Sequence, residues 1–336
     1  MYITKTKAIS PQKTYDESFL GGEITFHEGT KYTSQEPDYM GMIPPNLLRR
    51  MGKAIRMGIG AATPIVQSLG KPDGIIIGTS DGGLEDCFKF LVQVVDYNEG
   101  TLSPTNFVQS TPNALAGNIA LSTGNTCYNN THVHKGHAFE NALIDAMLLF
   151  SEKKAKSVLV GNVEEISDYN YHVELLAGQF KQEDTTSESL LASETVGTVC
   201  GEGSAMFLLQ SEANNYLAQI LDVVQISFPE PEDIDEMIRS VIEKNVPSGA
   251  IIGSLVLGYS GDVRTDNWYD RVKLHFPDAD VYTFKNLCGE YPTSSAFALY
   301  YAANILSDSK SGKQSRYSLI YNHYKGDQHS VILLRN

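Results

Sequence analysis

The stretch NNTHVHKGHAFENALIDAM, residues 129–147, decides how this chain is interpreted. Its first part is polar and β-prone, and a glycine follows at position 136. Small and apolar residues then recur at helical spacing, so that one helix face carries Ala138, Ala142, Leu143, Ala146 and Met147. The pattern predicts a sharp turn from a strand into a helix.

A turn of this kind normally presents a nucleophile. The N-terminus of the helix stabilises a thiolate or an oxyanion, so Ser or Cys is the expected residue there. Neither Gly136 nor His137 has such a side chain. The missing nucleophile is the strongest constraint that the sequence places on function.

Composition excludes several classes of function. With 336 residues the chain can form one large domain or two fused ones, and its formal net charge of −14 argues against binding nucleic acid or an anionic membrane. No segment has transmembrane length, and the first residues lack the apolar core of a signal peptide. Four scattered cysteines without a CxxC pair indicate free thiols in a reducing compartment. We therefore expect a soluble, cytoplasmic protein.

Strand and helix patterns alternate along the chain. Apolar runs at 74–79, 156–162 and 250–258 predict buried strands, and the pattern at 233–244 predicts an amphipathic helix. A further helix is expected from Pro44 to about Leu69. The first 40 residues are polar, and we expect them to form only short strand-like segments such as 22–26. The sequence thus predicts an α/β fold with a largely parallel core. Its two halves are similar, because each contains an apolar strand followed by a glycine-containing turn and a helix. A polar segment at 210–216 is the expected hinge between them.

Several motifs, taken in order, resemble those of β-ketoacyl synthases. The resemblance spans about residues 40–336 and rests on GIIIGTSDGGL (74–84), SP (103–104), PNALAG (112–117), GEGSA (201–205) and KNLCGE (285–290). It implies a thiolase-like layered αβαβα fold made of two similar halves, with an N-terminal half at 1–212 and a C-terminal half at 213–336. The glycine pairs have neither P-loop nor dinucleotide-binding spacing, so no cofactor is expected.

Members of that family catalyse a decarboxylative Claisen condensation with one Cys and two His side chains. Counting forward from PNALAG places the nucleophile at Gly136, and counting back from the strand near residue 158 places it at His137. The first His position corresponds to Ser260 and the second to Glu290, and the gating Phe falls near Thr198. The resemblance therefore implies that all three catalytic groups are replaced. The expected pocket or tunnel residues are His134, Gly136, His137, Phe139, Thr198, Lys285 and Glu290.

This replacement suggests a non-catalytic subunit of the chain-length-factor type. Such a protein pairs with an active ketosynthase, shapes the tunnel for the growing chain and works with an acyl carrier protein, so it acts within an acyltransferase complex without condensing by itself. The resemblance places its dimer interface near residues 100–130 and points to aryl-polyene, flexirubin-type or type II polyketide synthesis. Two alternatives stay open: an enzyme with altered acyl-thioester chemistry (a hydrolase, decarboxylase or acyltransferase) and a homodimeric acyl-binding scaffold.

Some residues allow more than one interpretation. His132, His134 and His137 have a spacing that could bind zinc, although polar pocket lining is the preferred explanation and no metal is predicted. Lys285 and Glu290 are expected to form a buried ion pair, with Glu290 as a general base the minor option. A basic helix face is either solvated or a contact for the carrier or partner; it consists of Arg49, Arg50, Lys53 and Arg56.

Overall fold

A computed structural model describes residues 1–307 and 317–336 of the protein. The strands are β1 (Tyr2–Ile9), β2 (Lys31–Tyr32), β3 (Gly74–Thr79), β4 (Tyr128–Val133), β5 (Ser157–Glu164), β6 (Cys200–Gly201), β7 (Gly203–Gln210), β8 (Ala218–Ser227), β9 (Ile252–Leu257), β10 (Asp280–Thr283), β11 (Tyr317–Tyr324) and β12 (Gln328–Arg335). The helices are α1 (Pro45–Leu48), α2 (Lys53–Leu69), α3 (Leu84–Asp96), α4 (Pro104–Gln109), α5 (Ala114–Thr123), α6 (Ala138–Ser151), α7 (Asp168–Leu176), α8 (Pro231–Asn245), α9 (Asn267–Leu274), α10 (Lys285–Cys288) and α11 (Ser295–Ser307).

The main sheet consists of two similar halves. Its strand order is β10-β9-β11-β12-β8-β1-β7-β5-β3-β4. Each half contributes five strands, β1, β3, β4, β5 and β7 or β8 to β12. Numbered in chain order within each half, they follow the same order from the centre of the sheet outward: first, fifth, fourth, second, third. Parallel and antiparallel pairs occur at the same places in both halves. The halves meet where β1 pairs briefly with β8, through Tyr2↔Gln219 and Ile3↔Ala218. The division at 212/213 falls in the loop between β7 and β8 and stays a prediction.

Five layers follow from the packing of the helices. Helices α6 and α11 contact strands of both halves and share one hydrophobic core with them. On the outer face of the first half, α2 and α5 cover a second core, and on the outer face of the second half α8 and α9 cover a third. The layers are therefore, in order, the outer helices of the first half, the first half of the sheet, the central helices, the second half of the sheet and the outer helices of the second half. This arrangement brings the ends of strands from both halves together around the central layer.

Most predicted elements are present, with three differences near the N-terminus. β1 was not predicted, because its alternating Thr and Lys residues look polar; pairing with β7 and β8 makes it central to the sheet nonetheless. Residues 22–26 do not form a strand. The single helix expected over 44–69 is divided into α1 and α2, and Gly52, directly before α2, has extended backbone. Gly52 lies against the Asp86 carboxylate, which leaves no room for a Cβ there.

Candidate functional site

The turn between β4 and α6 lies where the sequence predicts a nucleophile elbow. β4 ends at Val133, a 3₁₀ turn covers Lys135–His137, and α6 begins at Ala138. Within this turn Lys135 has a left-handed φ of +48°, and its side chain is exposed. Strained backbone is typical of such elbows. Here it is one residue before Gly136.

The backbone at Gly136 is held tightly by the hairpin of β11 and β12. Its N–H donates to Oε1 of Gln328 at 2.8 Å. A Cβ built on Gly136 would lie 2.5 Å from the Cβ of Tyr324, closer than real Cβ contacts come. Only glycine fits this position as the protein is packed. Tyr324 therefore occupies the volume that a nucleophilic side chain at residue 136 would need.

His137 and Phe139 point into the protein. His137 is 2% exposed, and its Nε2 lies 3.2 Å from the carbonyl oxygen of His329. Burial lowers the pKa of His137, which keeps its imidazole neutral at neutral pH. Phe139 is fully buried, with its ring centroid 5.7 Å from that of Phe207. Both side chains belong to the packing between the two halves.

The histidines of the central stretch have separate partners. His132 Nε2 lies 2.8 Å from Oδ2 of Asp145, and His134 Nδ1 lies 2.9 Å from Nδ2 of Asn141. Across residues 1–307 and 317–336, no three potential metal ligands converge. The geometry gives no support to the zinc alternative.

Three positions that the resemblance singles out lie together at a cavity of about 240 Å³. Thr198, Ser260 and Glu290 all line it. The Thr198 hydroxyl donates to the Ser260 carbonyl at 2.7 Å, and the Ser260 hydroxyl donates to Oδ1 of Asp266 at 3.1 Å. Both hydroxyl groups are therefore held by internal hydrogen bonds.

The other predicted pocket residues are not part of this cavity lining. His134, Gly136, His137 and Phe139 lie outside it. Lys285 does not line it either, but contacts the lining residues Glu290 and His323. Tyr324, which packs against Gly136, connects the elbow to the cavity because it lines the cavity as well. The structure thus separates the two groups of residues that the sequence suggested as one pocket.

The ion pair expected between Lys285 and Glu290 is present. Lys285 Nζ is 2.6 Å from Oε2 of Glu290, and it also donates to the His323 carbonyl at 2.8 Å and the Tyr269 hydroxyl at 3.2 Å. Lys285 is fully buried and the Glu290 side chain is 12% exposed. Burial raises the pKa of Glu290, and Lys285 opposes this effect only in part. Oε1 of Glu290 is buried and has no hydrogen-bond partner in the part of the chain that the structure describes.

Two consecutive carboxyl groups at the end of β5 also line the cavity. Glu164 accepts hydrogen bonds from the Ser80 N–H at 2.6 Å and the Thr293 hydroxyl at 3.0 Å. Glu165 accepts from the backbone N–H of Ala54 and of Glu85, both at 3.1 Å, and so caps the first turns of α2 and α3. Burial raises the pKa of Glu164 to about 8 and that of Glu165 to about 7.

Sequence reasoning missed these two carboxyl groups and the contact between Tyr324 and Gly136. Glu164 and Glu165 carried a usable signal, because they directly follow a buried strand, and polar residues at strand ends often face a site. No sequence pattern indicated the two ion pairs at the cavity, Arg264–Asp262 and Lys325–Glu174. Tyr324 reaches Gly136 from almost 200 positions further along the chain, and no local pattern reveals that contact.

Comparison with known proteins gives the family. A family model described as "Beta-ketoacyl synthase, N-terminal domain" matches residues 26–216, more than half of the chain. The chain belongs to the β-ketoacyl synthase family. No curated protein matches this family member in a sequence search.

Solved ketosynthase structures share the fold along the whole chain. One is titled the ishigamide ketosynthase/chain length factor: identity is 18%, the TM-score is 0.83, and 99% of this chain and 98% of that one are covered. Another is a ketosynthase, ApeO, in complex with its chain length factor, ApeC, from Xenorhabdus doucetiae, with 15% identity, a TM-score of 0.78 and coverage of 99% and 97%. A third, AntDE:AntF, is described as a type II PKS acyl-carrier protein in complex with its ketosynthase bound to the hexaketide, with 16% identity, a TM-score of 0.76 and coverage of 99% and 98%.

These likenesses confirm the thiolase-like fold predicted for this ketosynthase homologue. At such low identity they show the fold, whereas the chemistry of the site has to be argued from this chain's own residues. Within the described ranges, no helix combines the length and the apolarity that crossing a bilayer requires.

Proposed function

We propose that this ketosynthase homologue is a non-condensing subunit of the chain-length-factor type. In this proposal it pairs with an active β-ketoacyl synthase and completes the site that receives the growing acyl chain. The observation that carries the proposal is the packing of Tyr324 against Gly136, because it fills the space of a nucleophilic side chain.

The cysteines of the chain offer no replacement thiolate near the cavity. Cys200 lines the cavity and Cys288 lies three residues after Lys285, but both are buried, and burial raises the pKa of both thiols. A thiol in that state is a poor nucleophile, because the thiolate is the reactive form. Cys87 and Cys127 do not line the cavity.

The second catalytic position also argues against condensation. Glu290 is engaged with Lys285 through one oxygen and presents its other oxygen without a partner. An acceptor oxygen repels the negative charge of a developing enolate, whereas the reaction needs a donor there. Ser260 donates its hydroxyl to Asp266, so it does not supply that donor.

An exposed strand edge and apolar surface support pairing with another subunit. β4 is the last strand of the sheet and pairs only with β3 among the described strands. Large apolar side chains are exposed on α3, α4 and α5 and on β4 itself; they are Val95, Phe107, Val108, Leu121, Tyr128 and Val133. Exposed apolar patches next to an unpaired edge are typical of interfaces. Most of these residues fall in the 100–130 region that the sequence indicated.

The proposal includes an acyl carrier protein as a transient partner. Of the basic helix face, Arg56 is paired with Glu36 and Lys53 with Glu202, so these two cations are neutralised within the protein. Arg49 and Arg50 are exposed. We assign the carrier contact to these two residues, since an otherwise acidic surface would repel an acidic carrier. The finer assignments to aryl-polyene, flexirubin-type or type II polyketide synthesis and to the cytoplasm belong to the same proposal.

The deciding experiment is co-expression with the intact ketosynthase of the same gene cluster. We expect a stable one-to-one complex by size exclusion with light scattering, and condensation of malonyl and acyl carrier substrates that depends on the partner's cysteine. Turnover of an acyl thioester by this chain alone, lost in Glu290→Gln, would instead establish the altered-enzyme alternative. A stable homodimer that ignores the ketosynthase would establish the scaffold alternative.

A further inference from the structure

We propose that the carboxamide of Gln328 takes the place of a ligand at the turn between β4 and α6. It occupies the backbone N–H of Gly136, which the carbonyl oxygen of an acyl thioester would need in order to react there. The turn is therefore a latent acyl site that the protein's own hairpin keeps closed. This role goes beyond the pairing function, because it concerns groups inside this chain and requires no partner.

Gly136 has a backbone donor that points out of the turn. The N–H groups of the next two residues, 137 and 138, donate to carbonyls of the turn itself. The Gly136 N–H instead donates to Oε1 of Gln328 at 2.8 Å. Because a backbone N–H can only donate, the carboxamide has to direct its carbonyl oxygen to it. Backbone donors of this kind stabilise the oxyanion that forms when a thioester is attacked, and here the donor is already bound to an oxygen.

The hairpin of β11 and β12 holds Gln328 in this place. Gln328 is the first residue of β12 and lies opposite Tyr324, the last residue of β11. Residues that are directly opposed in an antiparallel pair have their side chains on the same face of the sheet. A Cβ built on Gly136 would meet both of them, the Cβ of Tyr324 at 2.5 Å and Oε1 of Gln328 at 3.1 Å. One cross-strand pair therefore fills the side-chain space of the turn and also occupies its donor.

Tyr324 separates the turn from the cavity. It packs against Gly136 and also lines the cavity of about 240 Å³, whereas neither Gly136 nor Gln328 lines it. Removal of the tyrosine side chain should therefore open the cavity toward the turn. A small acyl thioester in the opened cavity would reach the turn, but Gln328 would still hold the donor. The two residues thus block different requirements of the reaction, Tyr324 the access and Gln328 the stabilisation of the oxyanion.

A second glutamine binds a glycine in the same way and provides a matched control. Oε1 of Gln109 accepts from the N–H of Gly52 at 3.3 Å, and its Nε2 donates to the carbonyl two residues before that glycine at 2.9 Å. Gln328 likewise extends its Nε2 to the carbonyl two residues before Gly136, at 3.5 Å. The two carboxamides form equivalent contacts, but Gln109 does so at the start of α2, away from the turn in which a nucleophile is expected.

The test places a thiol in the opened turn. The background is Gly136→Cys with Tyr324→Gly, and it is studied with and without Gln328→Ala. In the first assay the introduced thiolate attacks the acetyl thioester of N-acetylcysteamine: the acetyl group forms a bond to the introduced sulfur, and N-acetylcysteamine leaves as a thiolate that takes up a proton from solvent. In the second assay the thiolate displaces iodide from iodoacetamide, a reaction in which no oxyanion forms. Mass spectrometry of the intact protein measures both rates.

The two reactions distinguish a blocked donor from blocked access. Gln328→Ala should accelerate acetylation at least about tenfold, because the backbone N–H of residue 136 becomes free to stabilise the oxyanion. Alkylation should remain nearly constant, since it depends only on access and on the thiolate. Gln109→Ala in the same background should leave both rates unchanged. Equal acceleration of the two reactions would show that Gln328 only limits access, and unchanged acetylation would show that it blocks no donor; either result would overturn the proposal.

A measurement on single variants covers the case that the opened turn does not fold, which circular dichroism detects. Hydrogen exchange of the Gly136 amide is followed by NMR in protein labelled with 15N-glycine. Exchange should be at least about tenfold faster in Gln328→Met, which has no oxygen acceptor, and should stay slow in Gln328→Glu, which keeps one. Slow exchange in Gln328→Met would overturn the proposal. None of these results bears on complex formation with a ketosynthase, so the two proposals can fail separately.

Discussion

At the scale of single residues, the contact between Tyr324 and Gly136 leaves no room for a side chain at position 136 of the turn. The space beside the glycine is filled from a distant part of the sequence, so restoring a cysteine at residue 136 would not by itself restore a reactive thiol.

Gly136→Ala should destabilise the protein by about 1–3 kcal/mol, because the added methyl group collides with Tyr324 in a packed region. Gly117→Ala is the matched control: it lies in α5 with open space around its Cβ position and should be neutral or stabilising by up to about 1 kcal/mol. Urea unfolding of both variants measures the difference. Equal stability of the two variants would contradict the packing argument. Tyr324→Gly removes the Cβ that the new methyl group meets, so Gly136→Ala should cost less in the Tyr324→Gly background than in the unmodified chain.

Glu164 should make stability depend on pH in the neutral range. Its pKa is raised to about 8 in the folded protein by burial and is near 4.5 when unfolded. The folded state therefore holds one more proton than the unfolded state between these values, and stability falls as pH rises from about 5 to 8. Glu164→Gln keeps the neutral form and should flatten this decline, whereas Glu243→Gln on the surface should not. Urea midpoints at pH 5, 6.5 and 8 test this, and parallel curves for both variants would refute it.

Lys285 and Glu290 should be strongly coupled. Lys285→Met leaves the Glu290 carboxyl and the His323 carbonyl without their buried donor, and we expect a loss of about 3–5 kcal/mol. Glu290→Gln in the same chain removes the uncompensated charge, so the double variant should be more stable than Lys285→Met alone. A double-mutant cycle of unfolding free energies measures the coupling, and simple additivity would show that the pair contributes nothing specific.

At the scale of secondary structure elements, the β11–β12 hairpin closes the site. Its turn carries Tyr324 and Lys325 to the cavity, and two buried histidines hold it in place. His329 Nε2 donates to the Gly326 carbonyl at 2.8 Å, and its Nδ1 lies 2.7 Å from the Tyr321 hydroxyl. His323 stacks on Tyr269 with ring centroids 4.6 Å apart. These contacts position the turn so that Tyr324 packs against Gly136.

β4, the last strand of the sheet, and the adjacent helix α5 form the surface to which we assign the contact with the partner. Leu121→Glu places a charge on this edge and should weaken the complex with the ketosynthase by at least tenfold. Leu274→Glu is a matched control, because both leucines are 81% exposed and Leu274 lies on α9 in the other half. Affinity from analytical ultracentrifugation distinguishes them. A similar effect of both substitutions, or of neither, would place the interface elsewhere.

At the scale of the whole molecule, pairing should raise the thermal stability of this chain. A partner that binds only the folded state stabilises it by mass action, by about 2.7 kcal/mol at a hundredfold excess over Kd. The midpoint temperature of unfolding should therefore rise with the concentration of the ketosynthase. Scanning calorimetry at several ratios checks this, with Leu121→Glu as the control that should move the dependence to at least about tenfold higher ketosynthase concentration. A midpoint that does not change with added ketosynthase would contradict the heterodimer.

The sequence was sufficient for those features that local patterns encode. Apolar runs located β3, β5 and β9, helical spacing located α6 and α8, and the order of short motifs gave the family. The absence of Ser and Cys from the turn at residues 134–137 could be seen in the sequence for the same reason, since it depends only on which residues occupy that turn. The Lys285–Glu290 pair was predictable because its members are five residues apart on one turn and loop.

Tertiary structure decided what depends on contacts between distant segments. β1 is central because β7 and β8 pair with it, although its own composition looks polar. The cavity combines residues from β5, β11 and the loops around 198, 262 and 290, so its separation from His137 could not be predicted. Tyr324 fills the elbow only because the hairpin of the second half folds onto the first. Local periodicity encodes the elements, whereas burial and long-range packing determine which side chains meet at the site.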